Sequence, residues 1–164
     1  MGLQLPGELV WLLGELGFNW PEADEEKLID VAMTWIDFGA ALEQAVTAGD
    51  AAAQQVWAAN LGADITAFQQ AWADGSAPSA NLATMAQSCL IVGAGMLCAA
   101  LIVLVLKINV IVQLVTLAIA IAQAIATAAV TFGASLAEIP IFKMIIGAIV
   151  DEIINQAIET VLNG

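Results

Sequence analysis

CLIVGAGMLCAALIVLVL, residues 89–106, is a run of eighteen residues without a charge or a strong polar group. Lys107-Ile108-Asn109 follows, then a second apolar stretch, VIVQLVTLAIAIAQAIATAAVTF, residues 110–132. About eighteen apolar residues is the length at which a helix becomes able to cross a bilayer. Two long apolar helices are therefore expected, with Lys107-Ile108-Asn109 breaking the run between them. No strand alternation competes along the chain, although the β-branched residues 108–115 would be ambiguous on their own.

Outward from this centre the remaining elements are also helical. Gly133-Ala134-Ser135 and Pro140 close the second apolar stretch. A last amphipathic helix is expected over 141–162, with Phe142, Ile145, Ile146, Ile149, Ile153 and Ile158 on one broad face. Upstream, Asp74-Gly75-Ser76-Ala77-Pro78-Ser79 is a turn signal, after which a helix starts at Asn81. A short helix is expected over 5–16, with Pro6 in its first turn and Gly17 ending it. Asp24, Glu25 and Glu26 suit the partial positive charge of a helix start. From there Leu28, Val31, Trp35, Phe38 and Leu42 step by three and four, the mark of an amphipathic helix running to Trp57 or Ala59. Gly49-Asp50 is a weak point in it. Ile65, Phe68 and Trp72 mark a further helix before Gly75. The fold class is all-α, five or six helices in a bundle. An acidic amphipathic half, residues 1–74, precedes an apolar half, residues 75–164, in one continuous domain.

Composition limits what such a chain does. Of 164 residues, 61% are hydrophobic, against roughly 45–50% in ordinary globular domains. A domain of this size leaves much of its surface exposed, so the apolar excess must meet a partner chain, further copies or a bilayer. Sixteen acids face three lysines, with no His, for a net charge of −13. Nucleic-acid binding needs a basic footprint to displace counterions, and this chain has none. Acidity of this kind serves solubility or a basic partner. Cys89 and Cys98 are too far apart along one helix to bridge, about 13 Å at 1.5 Å per residue, and read as free thiols. No basic segment opens the chain, and Glu8 and Glu15 interrupt its first apolar residues, so export through a Sec signal peptide is not expected.

Catalysis is not expected either. The chain lacks His, Tyr and Arg, hence the commonest base and the usual anion clamp. Neither cysteine has a basic neighbour to activate it. Gly93-Ala94-Gly95 lacks the strand, helix start and third glycine of a nucleotide loop, and better suits close helix packing. Asp24-Glu25-Glu26 and Asp151-Glu152 are adjacent carboxylates that point apart on a helix, so no metal and no cofactor is expected. One pattern stands out in the second apolar stretch. Asn109, Gln113, Thr116, Gln123, Thr127 and Thr131 form an uncharged polar stripe. It suits water, a neighbouring helix, hydrogen bonding within lipid, or a pore wall, and the residues do not choose among these.

Three stretches carry a resemblance: Trp20-Pro21-Glu22-Ala23-Asp24-Glu25-Glu26-Lys27-Leu28, the Gly62 to Phe68 turn and helix, and Thr131-Phe132-Gly133-Ala134-Ser135-Leu136-Ala137-Glu138-Ile139-Pro140. In order and spacing, the chain resembles the Trp-x-Gly-type helical domains that open actinobacterial type VII secretion substrates and polymorphic toxins, including the channel-like domains of necrotizing-toxin precursors. The resemblance implies an antiparallel helical hairpin that secretion machinery recognises alone or paired. Its turn glycine would be Gly62 and its following aromatic Phe68, with Trp35, Phe38, Trp57 and Phe68 turned inward. Asn60 stands where the family has Trp; an Asn still ends a helix, but the aromatic packing there is lost. The family's tyrosine-containing export signal is absent from a chain without Tyr, so it would lie beyond Gly164 or on a partner.

The expected function is therefore a non-enzymatic, type VII secretion-associated delivery or targeting domain. Its expected partners are a helical protein or the secretion machinery, further copies of itself, and a lipid bilayer, with no nucleic acid. Its expected location is secreted or membrane-associated. A small integral membrane or pore-forming protein, and a soluble homo-oligomeric helical scaffold, are the alternatives. The apolar excess yields a direct expectation: light scattering in plain buffer should find no dispersed 17.0 kDa species without detergent or partner. A stable monomer would contradict it.

Overall fold

The computed structural model describes residues 2–163 and is all-α, with no strand among them. Five α-helices follow in order: α1 (Gly7–Glu15), α2 (Glu25–Ala59), α3 (Ala63–Ala73), α4 (Pro78–Thr127) and α5 (Ile139–Asn163), with a 3₁₀ turn at Ala134–Glu138 before α5. Four of them have eleven or more residues, and α1 has nine. The expected count of five or six comes down to four long helices because the two apolar stretches are one and α1 is only a short segment. Lys107-Ile108-Asn109 does not break the run: α4 continues through it for 50 residues. The reason is that the Lys107 charge is neutralised by a partner, so it does not have to leave the helix for water.

Packing divides the chain into two compact units, Met1–Lys27 with Ala99–Gly164, and Leu28–Cys98. This grouping differs from the sequence halves 1–74 and 75–164, because the unbroken α2 and α4 each supply residues to both units. In the first unit the core is Leu5 together with Leu12 and Leu13 of α1, Val110, Leu114 and Leu117 of α4, and Ile146 and Val150 of α5. The spacings 110, 114, 117 and 146, 150 keep one face of each helix inward. Each fully buried aliphatic side chain of this kind contributes roughly 1.5–3 kcal/mol. Gly17 ends α1 in the left-handed region, φ 86°, where the Phe18 N–H donates to the Leu13 carbonyl at 3.2 Å. The α4 helix stops at Thr127, short of the expected Phe132. There the buried Ser135 donates its hydroxyl proton to the Ala124 carbonyl at 2.7 Å, satisfying one of the last free acceptors.

The second unit buries the unexpected face of α2. Its buried positions are Ala32, Gly39 and Ala53, and of these Ala32 and Gly39 face Gly93, Ala86 and Cys89 of α4. Trp35 and Phe38, expected to face inward, and Val31 on the same stripe are 36–46% exposed. Small residues let the two backbones approach closely, as they do where helices pack without large side chains between them. A Cβ on Gly39 would lie 2.9 Å from the Ala86 carbonyl oxygen. On Gly93 it would lie 2.9 Å from the Ala32 oxygen and 2.6 Å from Ile36 Cγ1. Ranking residues by hydrophobicity points to the large side chains and so to the wrong face.

A contrast follows between glycines of α2 and α4. Intrinsic propensity favours alanine over glycine by about 1 kcal/mol in a helix interior. Gly95→Ala, with open space at its Cβ, should therefore be neutral or stabilising. Gly39→Ala and Gly93→Ala should each destabilise, by roughly 1–3 kcal/mol, because backbone oxygens cannot move aside. Guanidinium unfolding followed by circular dichroism measures all three; equal effects at the three glycines would contradict the close approach.

Candidate functional site

The hairpin turn is built from a helix end, a glycine and an aromatic cluster. Asn60, just past α2, donates from Nδ2 to the Val56 carbonyl at 2.7 Å, holding one of the last free acceptors of that helix. Gly62 precedes α3 with φ 145°, a backbone region closed to side-chain-bearing residues. The chain reverses there, and α2 and α3 are two helices, not one. Phe68 then lies 5.7 Å from the ring of Trp57 and 5.8 Å from that of Trp72, with tilted planes in both pairs. Such ring geometries add about 0.5–1.5 kcal/mol each beyond burial. Trp72 Nε1 donates to Asp50 Oδ1 at 2.9 Å, so the expected weak point at Gly49-Asp50 instead anchors α3 to α2.

The acids at the start of α2 have unequal roles. Asp24 accepts from the Lys27 backbone N–H at 3.2 Å, and that bond holds its carboxyl below the ordinary value. Glu25 is buried. Its Oε2 accepts from Lys107 Nζ at 2.8 Å, while Oε1 accepts from the Leu3 backbone N–H. Lys107 Nζ also donates to the Ala23 carbonyl at 2.6 Å and lies 5.7 Å from the centre of the Trp20 ring. Burial pushes the Glu25 carboxyl up, but the Lys107 bond and the Leu3 N–H outweigh it, and the pKa falls from 4.5 to about 2. A second pair, Lys143 Nζ to Glu15 Oε2 at 2.9 Å, ties α5 to α1 in partly exposed surroundings.

The polar stripe divides. Asn109, Gln113, Thr116, Gln123 and Thr127 lie on α4, whereas Thr131 lies in the turn beyond it. All are exposed except the half-buried Gln113. Thr116 and Thr127 return their hydroxyl protons to carbonyls one turn back, at 2.8 and 2.9 Å. Thr131 does the same at 3.0 Å and meets the Ser135 hydroxyl. Asn109 borders a groove of about 320 Å³ between α4 and the end of α5, beside Gln156 and Thr160. The structure thus sets the stripe along an outer flank of α4, with its threonines already satisfied. Cys89 is buried and Cys98 exposed, both as free thiols.

Lys107, Glu25 and Trp20 escaped the sequence reading as a group. The available signal was a lone charge inside an apolar helix, which must find a counter-charge or leave the core.

Removing one partner of this pair should be costly. Lys107→Met leaves a buried carboxylate alone and should destabilise by about 3–5 kcal/mol, and Lys107→Met with Glu25→Leu should recover most of that loss. Because the folded pKa of Glu25 is depressed, its contribution is fully present above pH 4.5 and is lost as pH falls through about 2. Acid titrations followed by circular dichroism should show this step in the native chain and not in Glu25→Gln. Additive losses in the double variant would contradict a coupled pair.

Comparison with curated proteins and with solved structures returned no match. Comparison with protein-family models matched one, the WXG100 like domain, over residues 6–148. That span takes in α1, the α2–α3 hairpin with its Gly62 turn, all of α4 and the first part of α5. By this match over most of its length, the chain belongs to the WXG100-like domain family, and so to the helical proteins associated with type VII secretion.

Proposed function

We propose that the chain is a non-enzymatic delivery or targeting domain of a type VII secretion substrate, of the kind that precedes a polymorphic toxin. Its α2–α3 hairpin would dock on a helical partner or on the secretion machinery. The observation that carries this reading is the outer face of α2. Val31, Trp35 and Phe38 are exposed on a helix that buries Ala32 and Gly39, at the i, i+4, i+7 spacing of a helix that fits an apolar groove. Aromatic anchors of this kind dominate the energetics of interfaces. The stretch of α2 that carries them is held by the close approach of Ala32, Ile36 and Gly39 to Ala86, Cys89 and Gly93 of α4, at the other end of the helix from the Gly62 turn.

A second reading, a small integral membrane or pore-forming protein, is favoured by one observation. The segment Ala63–Thr127 contains an 18-residue window of mean hydropathy 2.9 that is only 17% buried. A soluble homo-oligomeric scaffold would cover the same surface with protein.

The test is export of the tagged full chain from a host with a type VII system. Trp35→Ala with Phe38→Ala should lower the secreted fraction roughly tenfold or more, as the loss of 1.4 kcal/mol or more of docking energy would. Circular dichroism at the assay temperature should show unchanged helix content, which separates lost docking from lost folding, since more than half of each side chain is buried against the chain itself. Undiminished export of the double variant would overturn the docking surface. Carbonate-resistant association of the native chain with membranes would favour the second reading.

A further inference from the structure

We infer that an ordered water molecule binds inside the first unit, accepting a hydrogen bond from the Trp20 indole N–H beside the Lys107–Glu25 pair. The Trp20 Nε1 atom is buried, and among the described residues no acceptor reaches it. Native chains pair about nine in ten or more of their buried polar groups, with protein or with ordered water. The reason is that an unpaired donor forfeits the hydrogen bond it made to solvent in the unfolded chain. The Trp20 N–H therefore calls for an acceptor, and the groups around it limit what that acceptor is.

Lys107 is buried and has three ammonium protons. Among the described residues it spends two of them, on the Ala23 carbonyl and on Glu25 Oε2. Its Nζ lies 5.7 Å from the centre of the Trp20 ring. That is about the span of two hydrogen bonds in series, roughly 2.8–3.0 Å each. The indole N–H and the third ammonium proton are both donors and cannot bond one another, so a small group with lone pairs on two sides suits the place. An anion would meet both donors, but it would lie beside the Glu25 carboxylate in a chain of net charge −13, where the one nearby cation is already neutralised. Water brings two lone pairs for the two donors. It also brings two protons for acceptors that the cluster has left over, the second lone pair of the Ala23 carbonyl and the remaining lone pairs of Glu25. These supply the two to four polar partners that a buried water needs. With the water in place, Lys107 has all three protons bonded, in exchange for the hydration it gives up on burial.

The test is nuclear magnetic resonance of the full-length chain in dodecyl maltoside micelles, with its five tryptophans labelled with nitrogen-15. Loss of one indole resonance in Trp20→Phe identifies that of Trp20. In the native chain the Trp20 indole proton should show a cross-relaxation peak to water with the sign of a long-lived contact, and that of Trp11, 65% exposed, should not. In Lys107→Met with Glu25→Leu, checked for native helix content by circular dichroism, the water peak should be lost and the Trp20 proton should move upfield. A native Trp20 proton with no water peak, or with cross-peaks to protons of the chain alone, would overturn the site. A water peak that survives in the folded double variant would overturn its placement against the ion pair. A Trp20 resonance that shifts when sodium chloride replaces sodium gluconate would overturn water in favour of an anion.

Discussion

Lys107 is a cation in the middle of fifty helical residues that contain no other charge, and the fold around it depends on how that cation is satisfied. Its Nζ is held by the Glu25 carboxylate and the Ala23 carbonyl, with the Trp20 ring alongside. Removing two charges from water costs several kcal/mol per ion, and the pair endures only because hydrogen bonds replace the lost hydration. Those bonds come from the turn that precedes α2 and from the first residue of that helix. Residues 20–25 are therefore placed against one point of α4, and the Leu3 N–H bond to Glu25 brings the first residues of the chain to the same point. Any sliding of α4 against this turn would leave an unpaired buried ion. The pair thus sets a register that apolar contacts alone, which are non-directional, would not set.

With that register held, the two units use different physics. Around Leu114, Leu117 and Val150, large aliphatic side chains fill the space between helices, and burial of area supplies the stability. Around Gly39 and Gly93, helices meet backbone to backbone, and little side-chain area lies between them. Close approach there turns the large residues of α2 outward. The exposed Val31, Trp35 and Phe38 follow from the same packing choice that buries Ala32 and Gly39. Large apolar side chains of α2 are thus left exposed where its smallest residues make the internal contact.

Surface and charge divide the work in the same way. Acids concentrate in the first 74 residues, while α4 holds its single cation inward and shows solvent a neutral apolar face. Membership of the WXG100-like family accounts for the hairpin and its association with type VII secretion. The length and apolarity of α4 are the features of this chain that call for a covering surface.

Helix content, the hairpin turn at Gly62 and the absence of strands among the described residues were legible in the sequence, because each rests on local chemistry. Periodicity, helix-start acids and a glycine confined to a positive φ act within a few residues of themselves. Three outcomes were decided only by tertiary structure. Lys107 read as a break because a charge in an apolar run is unfavourable alone, and its counter-charge lies 82 residues away in sequence. The buried face of α2 read as the one with Trp35 and Phe38, because hydropathy measures a side chain's cost in water and not the fit between two backbones. The polar stripe left water, a neighbouring helix, lipid and a pore wall open, and the packing that turns Val110, Leu114 and Leu117 of α4 inward is what leaves Asn109, Thr116, Gln123 and Thr127 exposed. In each case the deciding energy belongs to a pair of groups, or to a choice of acceptor, that composition and spacing along the chain do not contain.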